Sequence, residues 1–132
     1  MSRTTRLRKA GTVRTLPHPE PEDIRIDTVL AALADPIRLR IVSQLADGHD
    51  DQACIAFELP VSKSTSTHHF RVLREAGVIE QRYKGTAILN SLRMDVLDSC
   101  FPGLIDVVVA ADANARLGAK SLGLAEKNVV ET

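Results

Sequence analysis

From Ser62 to Glu80 the chain reads S-K-S-T-S-T-H-H-F-R-V-L-R-E-A-G-V-I-E, a stretch dense in hydrogen-bond donors. Wound as a helix, it separates into two sides. Phe70, Leu73 and Ala76 follow one another at helical spacing, with small Ser66 one turn earlier, and should face a core. Lys63, Ser64, Thr67, His68 and Arg71 fall on the other side. Almost all of these donate hydrogen bonds and none is acidic, whereas a solvated helix face usually mixes both signs. Such a face suits an anionic, acceptor-rich surface, the phosphates and base edges of a DNA major groove. The blander alternative is a Ser/Thr-rich surface helix.

Two thiols and a further histidine cluster are the other candidates for chemistry. Cys54 is expected near the start of a helix, which lowers a thiol pKa, and with Cys100 it could form a redox switch. The alternative is two small buried apolar residues. His49, Asp50, Asp51 and Cys54 are of types that ligate zinc, but they also suit a solvated loop and helix start. The His68-His69 pair is a poor chelate, because neighbours on a helix point about 100° apart. No nucleophile elbow, phosphate loop or metal-helix motif appears, so an enzyme is not expected. No metal site or cofactor is expected either.

These side chains need a scaffold to position them. Ser62 is a good N-cap, and Gly77 can take the left-handed conformation that closes a helix. Between them lie about 14 residues, roughly 21 Å at a rise of 1.5 Å per residue. Upstream, Ile26, Val29, Leu30 and Leu33 mark a helix over residues 24–34, broken by Asp35-Pro36. A second helix over 37–46 turns Ile37, Ile41, Val42 and Leu45 inward and leaves Arg38 and Arg40 outside. Residues 51–59 suit a short helix, and Pro60-Val61 breaks it before Ser62. Downstream, 78–83 and 87–92 read as a hairpin around Lys84-Gly85-Thr86, with Arg82 and Lys84 at its tip. A short helix over 94–100 precedes an apolar one over 104–117, whose surface a partner subunit would cover.

The 132 residues suit one domain with a core of Leu, Ile, Val and Ala, since aromatics make up 3%. So few rings argue against a single-strand binder that stacks bases. The formal charge is zero but uneven. Residues 1–19 hold five basic residues (Arg3, Arg6, Arg8, Lys9, Arg14) and no acid. Residues 20–58 hold three basic and nine acidic; 60–93 hold six basic and two acidic. The cationic middle segment therefore contains the donor-rich helix. We expect a disordered basic arm over 1–20, a folded domain over 21–117 and a flexible tail over 118–132. No apolar run approaches the ~20 residues of a membrane span, and the N-terminus lacks the apolar core of a secretory signal. A cytoplasmic location is expected.

The segments L-A-D-P-I-R-L-R-I-V-S-Q-L-A-D-G (Leu33–Gly48) and V-S-K-S-T-S-T-H-H-F-R-V-L-R-E-A-G-V-I-E (Val61–Glu80), with the hairpin after them, resemble the ArsR family of bacterial repressors. The resemblance implies a mainly α winged helix-turn-helix fold with a small β-hairpin wing, homodimeric through its first and last helices. It implies a near-palindromic double-stranded DNA operator, released by an inducer. It places base reading on Lys63, Ser64, Thr67 and His68, and phosphate contacts on Ser62 and Thr65. Arg71 is expected on phosphate and His69 in the core. The family's Cys-x-Cys pair is reduced here to the single thiol of A-C-I-A. Its zinc histidines on the last helix are missing, because no His follows His69. The expected function is a sequence-specific DNA-binding repressor, relieved by a small molecule or an oxidant. The alternative is a winged-helix protein-interaction module without DNA binding.

Overall fold

The computed structural model describes residues 16–48 and 51–122. Five α-helices and a three-stranded antiparallel sheet appear in the order α1 (Ile26–Leu33), α2 (Pro36–Ala46), β1 (Gln52–Ala53), α3 (Lys63–Ala76), β2 (Ile79–Lys84), β3 (Ala87–Leu92), α4 (Met94–Cys100) and α5 (Leu104–Leu122). Short 3-10 turns cover Pro21–Asp23 and Cys54–Ala56. This is the winged helix-turn-helix architecture.

The starts of α2 and α3 follow from local chemistry. Asp35 caps α2, its carboxylate accepting from the amides of Ile37 and Arg38, with Pro36 in the first turn where no amide is needed. Ser62 caps α3 by accepting from the Thr65 amide. Gly77, at φ 90°, ends α3 in the left-handed region, its amide bonding back to Leu73 and Arg74. The side chains of Val29, Leu33, Ile41, Val42, Leu45, Phe70, Leu73, Val78, Ile79, Leu97 and Ile105 form the core. Phe57 meets Phe70 edge-on, with ring centres 5.2 Å apart. A buried aliphatic side chain of this size contributes about 1.5–3 kcal/mol.

The sheet runs in the order β1-β3-β2. The register of β2 on β3 pairs Ile79 with Leu92 and Lys84 with Ala87, leaving Gly85 and Thr86 as a two-residue turn with Gly85 at φ 62°. The first strand is thus shifted one residue toward the tip from the expected 78–83, and the turn is one residue tighter. The wing also gains a strand that was not expected. Residues 51–59, expected as a helix, form β1 and a single 3-10 turn instead. Asp51 sits at φ 62°, which no α-helix accommodates. Gln52 and Ala53 then pair with Asn90 and Leu89 on the open edge of β3. The first helix of the helix-turn-helix is therefore one short turn.

The last helix continues five residues beyond the expected 117, to Leu122. Residues 1–15 of the expected arm and 123–132 of the expected tail lie outside the described residues. Residues 16–20 lie against the wing. The His18 ring accepts from the Gln81 amide at 2.9 Å, and Arg93 donates to the Pro19 carbonyl at 3.0 Å.

Candidate nucleic-acid interface

The two sides of α3 separate as its spacing indicates. Phe70, Leu73 and Ala76 are buried, and so is His69. Ser62, Lys63, Ser64, Thr65, Thr67, His68 and Arg71 are exposed, and Ser66 is half-buried. The amino end of the helix presents a cluster of hydroxyls. Ser62 Oγ lies 2.9 Å from Thr65 Oγ1, to which it donates, and 3.4 Å from Ser64 Oγ. Free amides of the first turn and these hydroxyls together favour an anion.

Further along, Thr67 Oγ1 donates to the Lys63 carbonyl at 3.0 Å. Its proton is spent inside the helix, so Thr67 offers a partner a methyl group and an acceptor. His68 Nδ1 lies 3.4 Å from Arg71 Nη2. A guanidinium only donates, so Nδ1 is the acceptor in this contact.

The wing positions its cations differently from expectation. Lys84, in the last pair of β2 and β3, is exposed at the tip. Arg82 lies two residues lower and is held to the protein: its Nη2 donates to Asp51 Oδ1 at 2.6 Å, and Nη1 is 3.9 Å from Glu80 Oε1. Asp51 Oδ1 also accepts from Ser91 Oγ at 2.7 Å. The hydrogen bonds from Ser91 and Arg82 hold the Asp51 carboxyl below the usual carboxylate range. Arg82 is thus tied to the base of the wing rather than presented at its tip.

Cys54 departs from its expectation as well. Burial pushes its thiol pKa up, although Asn90 and Gln81 donate to the sulfur and pull the other way. Asn90 Nδ2 and Gln81 Nε2 stand 3.2 and 3.6 Å from Sγ. Cys100 Sγ faces the Pro21 carbonyl at 3.8 Å. Both thiols are free. Of the conceivable zinc set, His49 and Asp50 lie outside the described residues; among the described residues no three His, Cys, Asp or Glu side chains gather.

Several polar residues behind the interface had no signal in local spacing. Gln81 and Asn90 are buried in the sheet, linked at 2.8 Å, with Asn90 also donating to the Gln52 carbonyl. Arg74 Nη1, at the end of α3, donates to Gln81 Oε1 at 2.9 Å. Arg38, expected outside, is half-buried and bonded to the Ala32 carbonyl and to His69. Partners 31 residues apart cannot be paired by periodicity.

The family model described as bacterial regulatory protein, arsR family, matches residues 35–81. The chain is 30% identical over 87 residues to the transcriptional repressor SdpR of Bacillus subtilis, an alignment spanning 66% of this chain and 97% of that one. It is 32% identical over 83 residues to the HTH-type transcriptional regulator CmtR of Mycobacterium tuberculosis, spanning 63% and 70% of the two chains. The crystal structure of M. tuberculosis Rv0081 superposes with a TM-score of 0.51 at 24% identity, over 79% of this chain and 99% of that one. That likeness speaks for the fold.

Proposed function

This chain belongs to the arsR family of bacterial regulatory proteins and is a DNA-binding transcriptional regulator; from that premise we propose that it acts as a homodimer whose two α3 helices enter successive major grooves of a near-palindromic operator. The observation that carries this reading is the outward donor face formed by Lys63, Ser64, Thr67, His68 and Arg71 on α3, none of them acidic, backed by a buried apolar face. Lys63 reads a guanine edge, and Ser64, Thr67 and His68 touch neighbouring bases. Ser62 and Thr65 meet a phosphate at the helix amino end, and Arg71 and Lys84 meet phosphates on either side. Arg82 joins them when phosphate competes with Asp51. The basic residues 3–14 add salt-dependent attraction.

Two large apolar side chains on α1, Ile26 (43% exposed) and Leu30 (48%), and two on α5, Val107 (66%) and Leu117 (64%), face solvent in the single chain. They support a dimer contact through the first and last helices. An inducer would act on that assembly, releasing the operator. The raised Cys54 pKa makes a small molecule the better candidate than an oxidant. Among the described residues no helix is long and apolar enough to cross a membrane, and we place the protein in the cytoplasm. The reading as a protein-interaction module without DNA binding has no observation behind it.

Selection of duplexes from a random-sequence library, followed by gel shifts, tests this. The intact protein should enrich one motif with two-fold symmetry. Lys63→Ala should cost about 1–3 kcal/mol on that motif and relax the preference at one base pair per half-site. An equal loss on every duplex would move Lys63 to phosphate. A library that yields no motif would overturn the proposal.

A further inference from the structure

His69 follows His68 on α3 but turns into the protein, with 8% of its surface exposed. Its Nδ1 stands 3.1 Å from Arg38 Nη1. Because the guanidinium only donates, Nδ1 is the acceptor. Arg38 Nε in turn donates to the Ala32 carbonyl in the last turn of α1, at 2.6 Å. Asp35 Oδ1 accepts from the amides of Ile37 and Arg38 at 2.8 and 3.1 Å and lies 4.0 Å from His69 Nδ1. One polar joint therefore ties the end of α1, the start of α2 and the middle of α3.

Apolar packing of Phe70 and Leu73 holds α3 down but constrains its roll weakly, because dispersion contacts are non-directional. A hydrogen bond is directional. Side-chain tips lie about 5–6 Å from a helix axis, so a roll of roughly 20° moves them about 2 Å. That exceeds the tolerance of a base-edge hydrogen bond, whose length varies by about 0.5 Å. Long cations reaching for phosphate tolerate such a shift far better.

We propose that the Arg38–His69 hydrogen bond is a positioning device that fixes the roll of α3 against α1, and so aligns Lys63, Ser64, Thr67 and His68 with base edges. His69 touches no DNA itself; it acts through its neighbours. The inference rests on the reading of α3 as the DNA-reading helix. It also gives the regulator a route by which a change at α1, where Ile26 and Leu30 face out, reaches the reading face.

The test compares a duplex selected by the wild-type protein with a scrambled duplex of equal length, at one salt concentration. His69→Leu keeps the core apolar and removes the acceptor. Its affinity for the selected duplex should fall about 10-fold or more, while that for the scrambled duplex changes less than about twofold. His69→Asn sets an acceptor oxygen near the place of Nδ1 and should restore the selected-duplex affinity to within about threefold. Arg38→Met, which also frees the Ala32 carbonyl, should lower the selected-duplex affinity at least as far as His69→Leu, and the double variant should be no weaker than Arg38→Met alone, since no further bond is then lost. Urea melts confirm that each variant is folded; should His69→Leu unfold, the Arg38→Met and His69→Asn arms decide. Wild-type affinity in His69→Leu, no recovery in His69→Asn, or equal loss on both duplexes overturns the positioning role. Failure of the wild-type protein to select any duplex overturns the DNA reading itself, and this inference with it.

Discussion

His18 holds its ring between the Gln81 amide, which donates to Nε2 at 2.9 Å, and the backbone of Leu16. Only the neutral ring can accept that proton. Burial lowers its pKa first, with Arg93 and Arg74 adding to the effect, while Leu16 and Glu80 oppose it. A histidine depressed in the folded state stabilises the fold fully above its unfolded pKa, about 6.5. That contribution is lost as pH falls below this value toward the folded pKa. In urea melts, wild type should therefore exceed His18→Ala in stability at pH 7.5, and the gap should shrink by pH 5. A constant gap would mean that the ring is held by packing alone. The cations Lys63 and Arg82 differ in what places them. The outward placement of Lys63 follows from its own helix, whereas Asp51, 31 residues away, decides where Arg82 points.

Helix α3 was legible because all its determinants are local. Ser62, the Phe70–Leu73–Ala76 spacing and Gly77 lie within one short stretch, and α3 spans Lys63–Ala76 accordingly. Gly77 does more than end it. A Cβ there would come within 2.7 Å of Ile24 Cδ1 and Cγ1, in a backbone region that side chains avoid. Gly77→Ala should cost about 1–3 kcal/mol in thermal or urea unfolding, with the left-handed strain and the displaced Ile24 acting together. A neutral substitution would show that the helix end relaxes freely. The stretch 51–59 was illegible for the opposite reason. Its composition suits a helix, but β3 offers an open edge, buried Asn90 offers a donor to the Gln52 carbonyl, and Phe57 turns in to meet Phe70. Non-local pairing overrode local propensity there.

At the scale of the molecule, the proposed dimer rests on the uncovered apolar residues of the first and last helices. α1 buries Val29 and Leu33 on one side and exposes Ile26 and Leu30 on the other. Its periodicity marks all four as apolar without telling which pair faces its own core. Leu30→Glu should leave the monomer fold intact, because the side chain is already half in water. It should shift the sedimentation coefficient from dimer to monomer and lower operator affinity more than 10-fold, since two half-sites are then bound separately. A dimer that persists in Leu30→Glu would move the interface elsewhere.

Residue order alone determined the cap and end of α3 and the donor-rich outer face of its residues 63–71. Each depends on neighbours one or two turns away, within reach of hydrogen-bond capping and helical periodicity. Tertiary structure alone decided that Arg82 is held by Asp51, that half-buried Cys54 faces two amide donors, and that Arg38 meets His69. Those outcomes depend on desolvation and on directional bonds between segments brought together by the closing of the core, and no local spacing encodes them.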